Sequence, residues 1–311
     1  MVKLIRGPLR EARSRIFDSA RWHDYRPRPD DIIIATYPKC GTTWTQRIVG
    51  MLIFGSDAPF PVQDSSPWPD MRIMPPGFAL QLAESQTHRR FLKTHLPYDA
   101  LPVYEGVKFI HVARDGRDAA MSFHNHKTNY TDEALADFSR VSLADPRFGT
   151  AYGRTDPDPA AHFHNWISDG YEDHLGDPAC GFWHLENSYW AARHEPGMLL
   201  VHYADLKADL EGEMRRIARY LEIDLAESLW PSLVKAAGFE AMRSRADELL
   251  PRARQVWRGG GNTFLNKGTN GRWRGVLDRA DLALYEQRLK QEFPAQLADW
   301  VCHGRLRSES A

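Results

Sequence analysis

The chain has 311 residues, 42 % apolar and 11 % aromatic, ample for a sizeable core, and an α/β enzyme domain runs to this length without dividing. Its formal net charge of −1 excludes bulk attraction to nucleic acid, so any anion must be held by local clusters. Three widely spaced cysteines, Cys40, Cys180 and Cys302, form neither a disulfide framework nor a zinc site, which points to a reducing compartment and a cytoplasmic protein.

The N-terminal arm, residues 1–29, carries Lys3, Arg6, Arg10, Arg13 and Arg15 among Leu4, Ile5, Leu9, Ile16 and Phe17. It lacks a signal-peptide h-region, and no stretch of the chain reaches the length of a membrane span, so stable membrane insertion is not expected. A terminal helix packed on the domain is expected, with a basic helix touching a membrane surface as the other reading.

Residues 32–34 are all isoleucine, a run that suits a strand buried on both faces. Pro38 and Gly41 then turn the chain into a helix over 42–54, with Trp44, Ile48 and Met51 or Leu52 on one side. A strand entering a helix through Lys39-Cys40-Gly41-Thr42-Thr43 aims unpaired amides, a lysine and two hydroxyls at one place, which suits a phosphate-like anion. An ordinary strand-to-helix connection would read the same way locally. No glycine stands upstream of the lysine as a Walker A loop requires, so Mg-NTP hydrolysis is not the first reading. The stretch Tyr37-Pro38-Lys39-Cys40-Gly41-Thr42-Thr43-Trp44 resembles the phosphosulfate-binding loop of the cytosolic-type sulfotransferases, with Cys40 where that family usually has serine. That resemblance implies a P-loop-like three-layer αβα fold with a central parallel sheet in a single domain. It also implies 3′-phosphoadenosine 5′-phosphosulfate (PAPS) as donor, 3′-phosphoadenosine 5′-phosphate (PAP) as product, and no metal.

Six prolines in residues 56–78 predict a long irregular loop whose Phe60, Trp68, Met71, Met74 and Phe78 either line an acceptor pocket or merely cover the core. A second strand, within 89–97, ends in Lys93-Thr94-His95. In a parallel sheet, ligands bind where strands end, so Lys93 and His95 should emerge beside Lys39. A lone histidine is as readily structural as catalytic; the Lys-Thr-His segment resembles the family's, whose histidine is the general base, and so implies that role for His95.

A third strand, 107–113, runs into Arg114-Asp115 and a helix carrying Ser122. The arginine suits bidentate phosphate binding, or else pairs on the surface with Asp115 or Asp118. An acid after an apolar strand also imitates a Walker B carboxylate, which keeps an ATP-Mg phosphotransferase open; a non-catalytic nucleotide-binding protein is a further alternative. Arg114 and Ser122 match the pair that holds the family's 3′-phosphate.

Residues 128–176 read as an irregular, aromatic lid over the acceptor site, with Tyr130, Phe148 and Trp166 adding apolar surface. The fourth strand, 197–205, delivers Tyr203, which resembles the family's adenine contact, and a helical stripe follows to Leu221. The glycine-rich basic loop 251–275 binds an anion or stays disordered, and resembles the family's second nucleotide motif through Lys267, Gly268, Gly271 and Trp273. Asn266 and Arg272 depart from it.

The resemblance thus implies catalytic roles for Lys39, Lys93 and His95. It implies donor contacts at Cys40, Gly41, Thr42, Thr43, Trp44, Arg114, Ser122, Tyr203, Phe239, Phe264, Leu265, Asn266, Lys267 and Gly268. The acceptor is expected to be an apolar alcohol, a phenol or, from a softer match to a bacterial branch, a glycolipid. The family's dimerisation signature is not evident, so a homodimer is left open. Cys40, at a helix N-terminus beside a lysine, sits where a thiol pKa can fall, or simply fills serine's place.

Overall fold

The computed structural model describes residues 2–168 and 176–306. At its centre is a four-stranded, all-parallel sheet made of β2 (Ile32–Thr36), β3 (Phe91–Thr94), β5 (Lys108–Ala113) and β6 (Met198–His202), in the order β3-β2-β5-β6. A small antiparallel ribbon pairs β1 (Leu4–Arg6) with β4 (Val103–Tyr104).

The alternation of a pleated strand explains why all three isoleucines are buried. Ile33 packs on one side with Leu92 and Phe109, while Ile32 and Ile34 face the other with Phe91, Ile110 and Val112. Helix α1 (Thr42–Phe54) covers the second face through Ile48, Val49, Met51 and Leu52. Helix α2 (Gly116–Thr128) joins the opposite layer through Ala119, Ala120 and Phe123. Helices on both faces make the expected three-layer αβα arrangement. No helix among the described residues is long and apolar enough to cross a membrane.

The register sets the site. Ala35 pairs with Thr94, Thr36 with Val112, and Ala113 with His202, so the four strands end together and the chain leaves one edge at Tyr37, His95, Arg114 and Tyr203. At the opposite edge Arg90 donates to both carboxylate oxygens of Asp31, and Tyr25 Oη donates to Oδ2 at 2.7 Å. Arg90 and Asp31 are buried and precede neighbouring strands. Arg90→Ala leaves a buried carboxylate without its cation and is expected to lower unfolding free energy by about 3–5 kcal/mol in chemical denaturation. A loss below about 1 kcal/mol would contradict that burden on the pair.

Several expectations are corrected. The N-terminal arm is not a basic helix: after β1, Gly7 and Pro8 break the repeat, the segment is irregular and folds back where Arg13 bridges Asp18, and one 3-10 turn forms at Ser19–Trp22. The 56–78 loop contains a helical turn, Val62–Ser65, started by Pro61. The 128–176 segment holds two helices, Asp132–Leu143 and Pro159–Ser168. The Thr131 hydroxyl caps the first by accepting from the Ala134 amide, and Asp132 and Glu133 favour its N-terminus. Residues 169–175 of that lid lie outside the described residues. The 251–275 loop is ordered, with one-turn helices at Ala253–Val256 and Gly261–Phe264.

Candidate active site

At the edge where the strands end, β2 enters α1 through a left-handed turn. Lys39 holds φ +73°, and Gly41 holds +106°. A Cβ on Gly41 would stand 2.9 Å from the Tyr203 ring, so the close approach requires glycine. For Lys39 that conformation costs about 1–3 kcal/mol, and the first amides of α1, which follow it, have no partner within the helix. Gly41, Thr42, Thr43 and Trp44 line the same cavity as Lys39, and the Thr42 and Thr36 hydroxyls lie 2.6 Å apart.

Cys40 goes the other way. Its side chain is fully buried in the core, its amide donates to the Tyr37 carbonyl, and burial pushes its thiol well up. The lowered thiol is therefore corrected, and Cys40 presents no side chain to the cavity.

The cavity, of about 430 Å³, brings together Lys39, Lys93, His95, Arg114, Ser122 and Tyr203 from separate elements. Lys39 Nζ lies 3.3 Å from His126 Nδ1 and 4.1 Å from the centre of the Phe264 ring. Lys93 Nζ lies 3.8 Å from the Trp68 ring centre. Burial, then the nearby Lys93, Arg114 and Arg272, lowers the Lys39 pKa to about 7. Burial lowers that of Lys93 to about 8. No carboxylate among the described residues forms an ion pair with Lys39, Lys93, Arg114 or Arg272. Asp70 and Asp118 stand near enough to act on Lys93 and Arg272, but a cluster of desolvated cations with no ion-paired carboxylate is a place suited to an anion.

Arg114 donates to the Lys39 and Thr269 carbonyls at 3.2 and 2.9 Å, and its guanidinium lies 4.1 Å from the Tyr203 ring centre. Its Nε is buried and unpartnered, the orphaned donor that an oxyanion would satisfy. Trp44 meets Tyr203 edge to face at 5.3 Å and donates from Nε1 to the Ala237 carbonyl. Phe239, Phe264, Leu265, Asn266, Lys267 and Gly268 all line the cavity, with the Phe239 ring packed where a Cβ on Gly268 would be.

His95 Nδ1 lies 2.7 Å from the Thr36 carbonyl, which can only accept. The ring therefore carries its proton on Nδ1 and leaves Nε2 with a lone pair, free of protein partners among the described residues. Burial first and Lys93 second hold its pKa well below the usual histidine range, so it is neutral near pH 7.

Sequence reasoning missed three supports. Asp70 is buried in the proline-rich loop and accepts from Trp22 Nε1 at 3.1 Å and Trp68 Nε1 at 2.7 Å, with the His95 amide 3.4 Å away. Trp68 in turn stands between Lys93 and His95, meeting the imidazole edge-on at 5.0 Å. Asp118 accepts from the Gly271 and Arg272 amides at 2.8 and 2.9 Å, clamping the glycine-rich loop onto α2. His126 lies one helical turn beyond Ser122 and lines the cavity; that i, i+4 spacing was the available signal. Asp115 is the α2 cap and pairs with Arg117, so its carboxylate is committed away from the cavity.

The expected acceptor surface divides. Trp68, Met71, Met74, Phe78 and Tyr130 line the cavity. Phe60 instead packs on Phe54, Phe148 lies under Arg15 and Arg72, and Trp166 is core, donating to the Tyr37 hydroxyl.

A family model described as "Sulfotransferase domain" matches residues 29–298. A glycolipid sulfotransferase of Mycobacterium bovis is 34 % identical, aligned over 94 % of this chain and 94 % of its own length. Sulfotransferase 1B1 of Canis lupus familiaris is 28 % identical over 86 % and 85 %. Retinol dehydratase crystallised with androsterone and PAP superposes with a TM-score of 0.68 at 22 % identity, covering 89 % of this chain and 84 % of that one. A mouse sulfotransferase complexed with PAP gives 0.66 at 18 % identity, over 91 % and 90 %.

Proposed function

The chain belongs to the sulfotransferase family, and from that premise we propose that it moves a sulfonate from PAPS to a hydroxyl of an apolar or glycolipid acceptor. The observation that carries the reading is the set of half-buried Lys39 and Lys93 and buried Arg114, brought without ion-paired carboxylates to the cavity that also bears His95. In the proposed step the acceptor oxygen attacks sulfur while its proton passes to His95 Nε2. The bond from sulfur to the bridging oxygen breaks, and that oxygen stays with the 5′-phosphate of PAP. Lys39 takes the charge growing there, Lys93 that on the transferring sulfonate, and both act in a site where desolvation strengthens the effect.

Arg114, Ser122 and the Lys267 loop would hold the 3′-phosphate, and Trp44, Tyr203 and Phe239 the adenine. The unpartnered Nε of Arg114 supports the first assignment, and the clustered rings support the second. Phe17, Trp68, Met71 and Met74 line the cavity, the first two packed against His95, and favour an apolar acceptor body, in keeping with the lipid named for the mycobacterial relative. Cytoplasmic residence belongs to the same reading, supported by three unpaired cysteines. Nothing favours the phosphotransferase alternative, whose expected magnesium carboxylate, Asp115, caps a helix.

Calorimetric titration with PAP, AMP and ATP-Mg tests the donor class. Tight binding of PAP alone is expected; preference for ATP-Mg would overturn the reading. The same titration carries a proton signature. The bound 5′-phosphate returns Lys39 toward the ordinary lysine range, so between about pH 7 and 10 the complex holds more protons than the free protein. At pH 8 PAP binding is expected to take up about one proton, and affinity to fall as pH rises through that window. Enthalpies that do not vary with the ionisation heat of the buffer would contradict it.

A further inference from the structure

Helix α2 places a second imidazole on the cavity wall, and its surroundings fix which of its nitrogens carries the proton. His126 Nδ1 faces Lys39 Nζ at 3.3 Å. Its ring is boxed by Tyr130 at 5.1 Å, Trp257 at 4.9 Å and Phe264 at 5.7 Å between centroids. Phe123 closes a fourth side at 5.7 Å. Four aromatic neighbours leave the ring little freedom to turn. An ammonium can only donate, so whenever an anionic donor keeps Lys39 charged, Nδ1 must accept and the imidazole proton must sit on Nε2. Burial and the neighbouring cations keep the ring from taking a second proton. Nε2 has no protein partner among the described residues, and His126 lines the cavity.

The two imidazoles are thus set in opposite senses. His95 is held with its proton on Nδ1 and a free lone pair on Nε2, whereas His126 offers an N–H from Nε2. Both line the same cavity. One can take a proton from a hydroxyl; the other can donate to a second oxygen nearby. The imidazole of His126 itself is set among rings, although the cavity elsewhere also carries polar side chains such as Gln63, Glu133 and Gln255.

We propose that His126 is a specificity-determining residue that donates from Nε2 to a second oxygen of the acceptor, selecting a polyhydroxylated headgroup on an apolar tail over a simple alcohol of the same tail. The inference rests on the sulfonate-transfer reading above and names the acceptor chemistry of that same cavity. An acceptor with a lone hydroxyl leaves the Nε2–H unpaired in a desolvated place, which is the larger part of the discrimination.

The test compares octyl β-D-glucoside, below its micelle threshold, with 1-octanol, using labelled PAPS and the full chain. For the wild type, kcat/KM should favour the glucoside. In His126→Phe, which keeps a ring in the aromatic box and removes both nitrogens, the ratio of glucoside to octanol should fall about tenfold, whatever the two absolute rates do. His126→Gln keeps an N–H donor and should restore part of the ratio. A purely structural role would lower both rates together and leave the ratio unmoved, which would overturn the proposal. So would an equal loss of ratio in both variants, which would assign the preference to ring shape, or a wild type that binds PAP yet does not sulfonate the glucoside. Failure of the wild type to bind PAP would instead break the donor reading, and the PAP titration separates the two.

Discussion

Turnover of a His95→Asn variant is expected to fall about 10²- to 10⁴-fold, while its affinity for PAP stays within a few-fold of the wild type. One hydrogen bond sets the base. The Thr36 carbonyl, 2.7 Å from Nδ1, can only accept, so the tautomer that leaves Nε2 basic is imposed by the end of β2. Asparagine can keep the donor to that carbonyl and the approximate volume, but it has no basic nitrogen. Because burial and Lys93 hold the imidazole pKa well below the usual range, its basic form persists down to mildly acidic pH, and the wild-type rate should show no acid limb near pH 6.5 from this group. Steady-state rates and a PAP titration on the same preparation check both halves. Full turnover by the variant would remove His95 from the chemistry.

Lys39→Ala is expected to lower kcat about 10²- to 10³-fold and to weaken PAP binding by a smaller factor. The cation is held desolvated, with its pKa near 7, against the Phe264 face and His126, so part of its interaction with an anion is withheld until charge accumulates on the leaving oxygen. Alanine keeps the left-handed backbone strain at this position and therefore isolates the side chain. The opposite pattern, a large loss of PAP affinity with kcat nearly intact, would make Lys39 an anchor for bound donor.

What could be read from the sequence was governed by the sheet. Short apolar runs ending in charge mark the parallel strands, and because ligands gather where such strands end, the grouping of Lys39, Lys93, His95 and Arg114 was legible in the sequence. The helices at Asp132–Leu143 and Pro159–Ser168 were not, because aromatic and polar residues crowd that stretch; the cap at Thr131 was the overlooked sign. Cys40 illustrates a subtler limit. Sequence places it beside Lys39 at a helix start, but a positive φ at Lys39 turns consecutive side chains to opposite sides, lysine to the cavity and thiol to the core. Asp70 and Asp118 act across 25 and about 150 residues of chain, on His95 and on the Gly271 loop, and no local pattern announces such partners.

Transfer of label from sulfur-labelled PAPS to 1-octanol or octyl glucoside, followed together with the release of PAP, tests sulfonate transfer most directly. Labelled organic sulfate should appear in step with PAP, one for one. PAP formed with the label recovered only as inorganic sulfate, or no turnover by protein that binds PAP tightly, would contradict sulfonate transfer to an apolar hydroxyl.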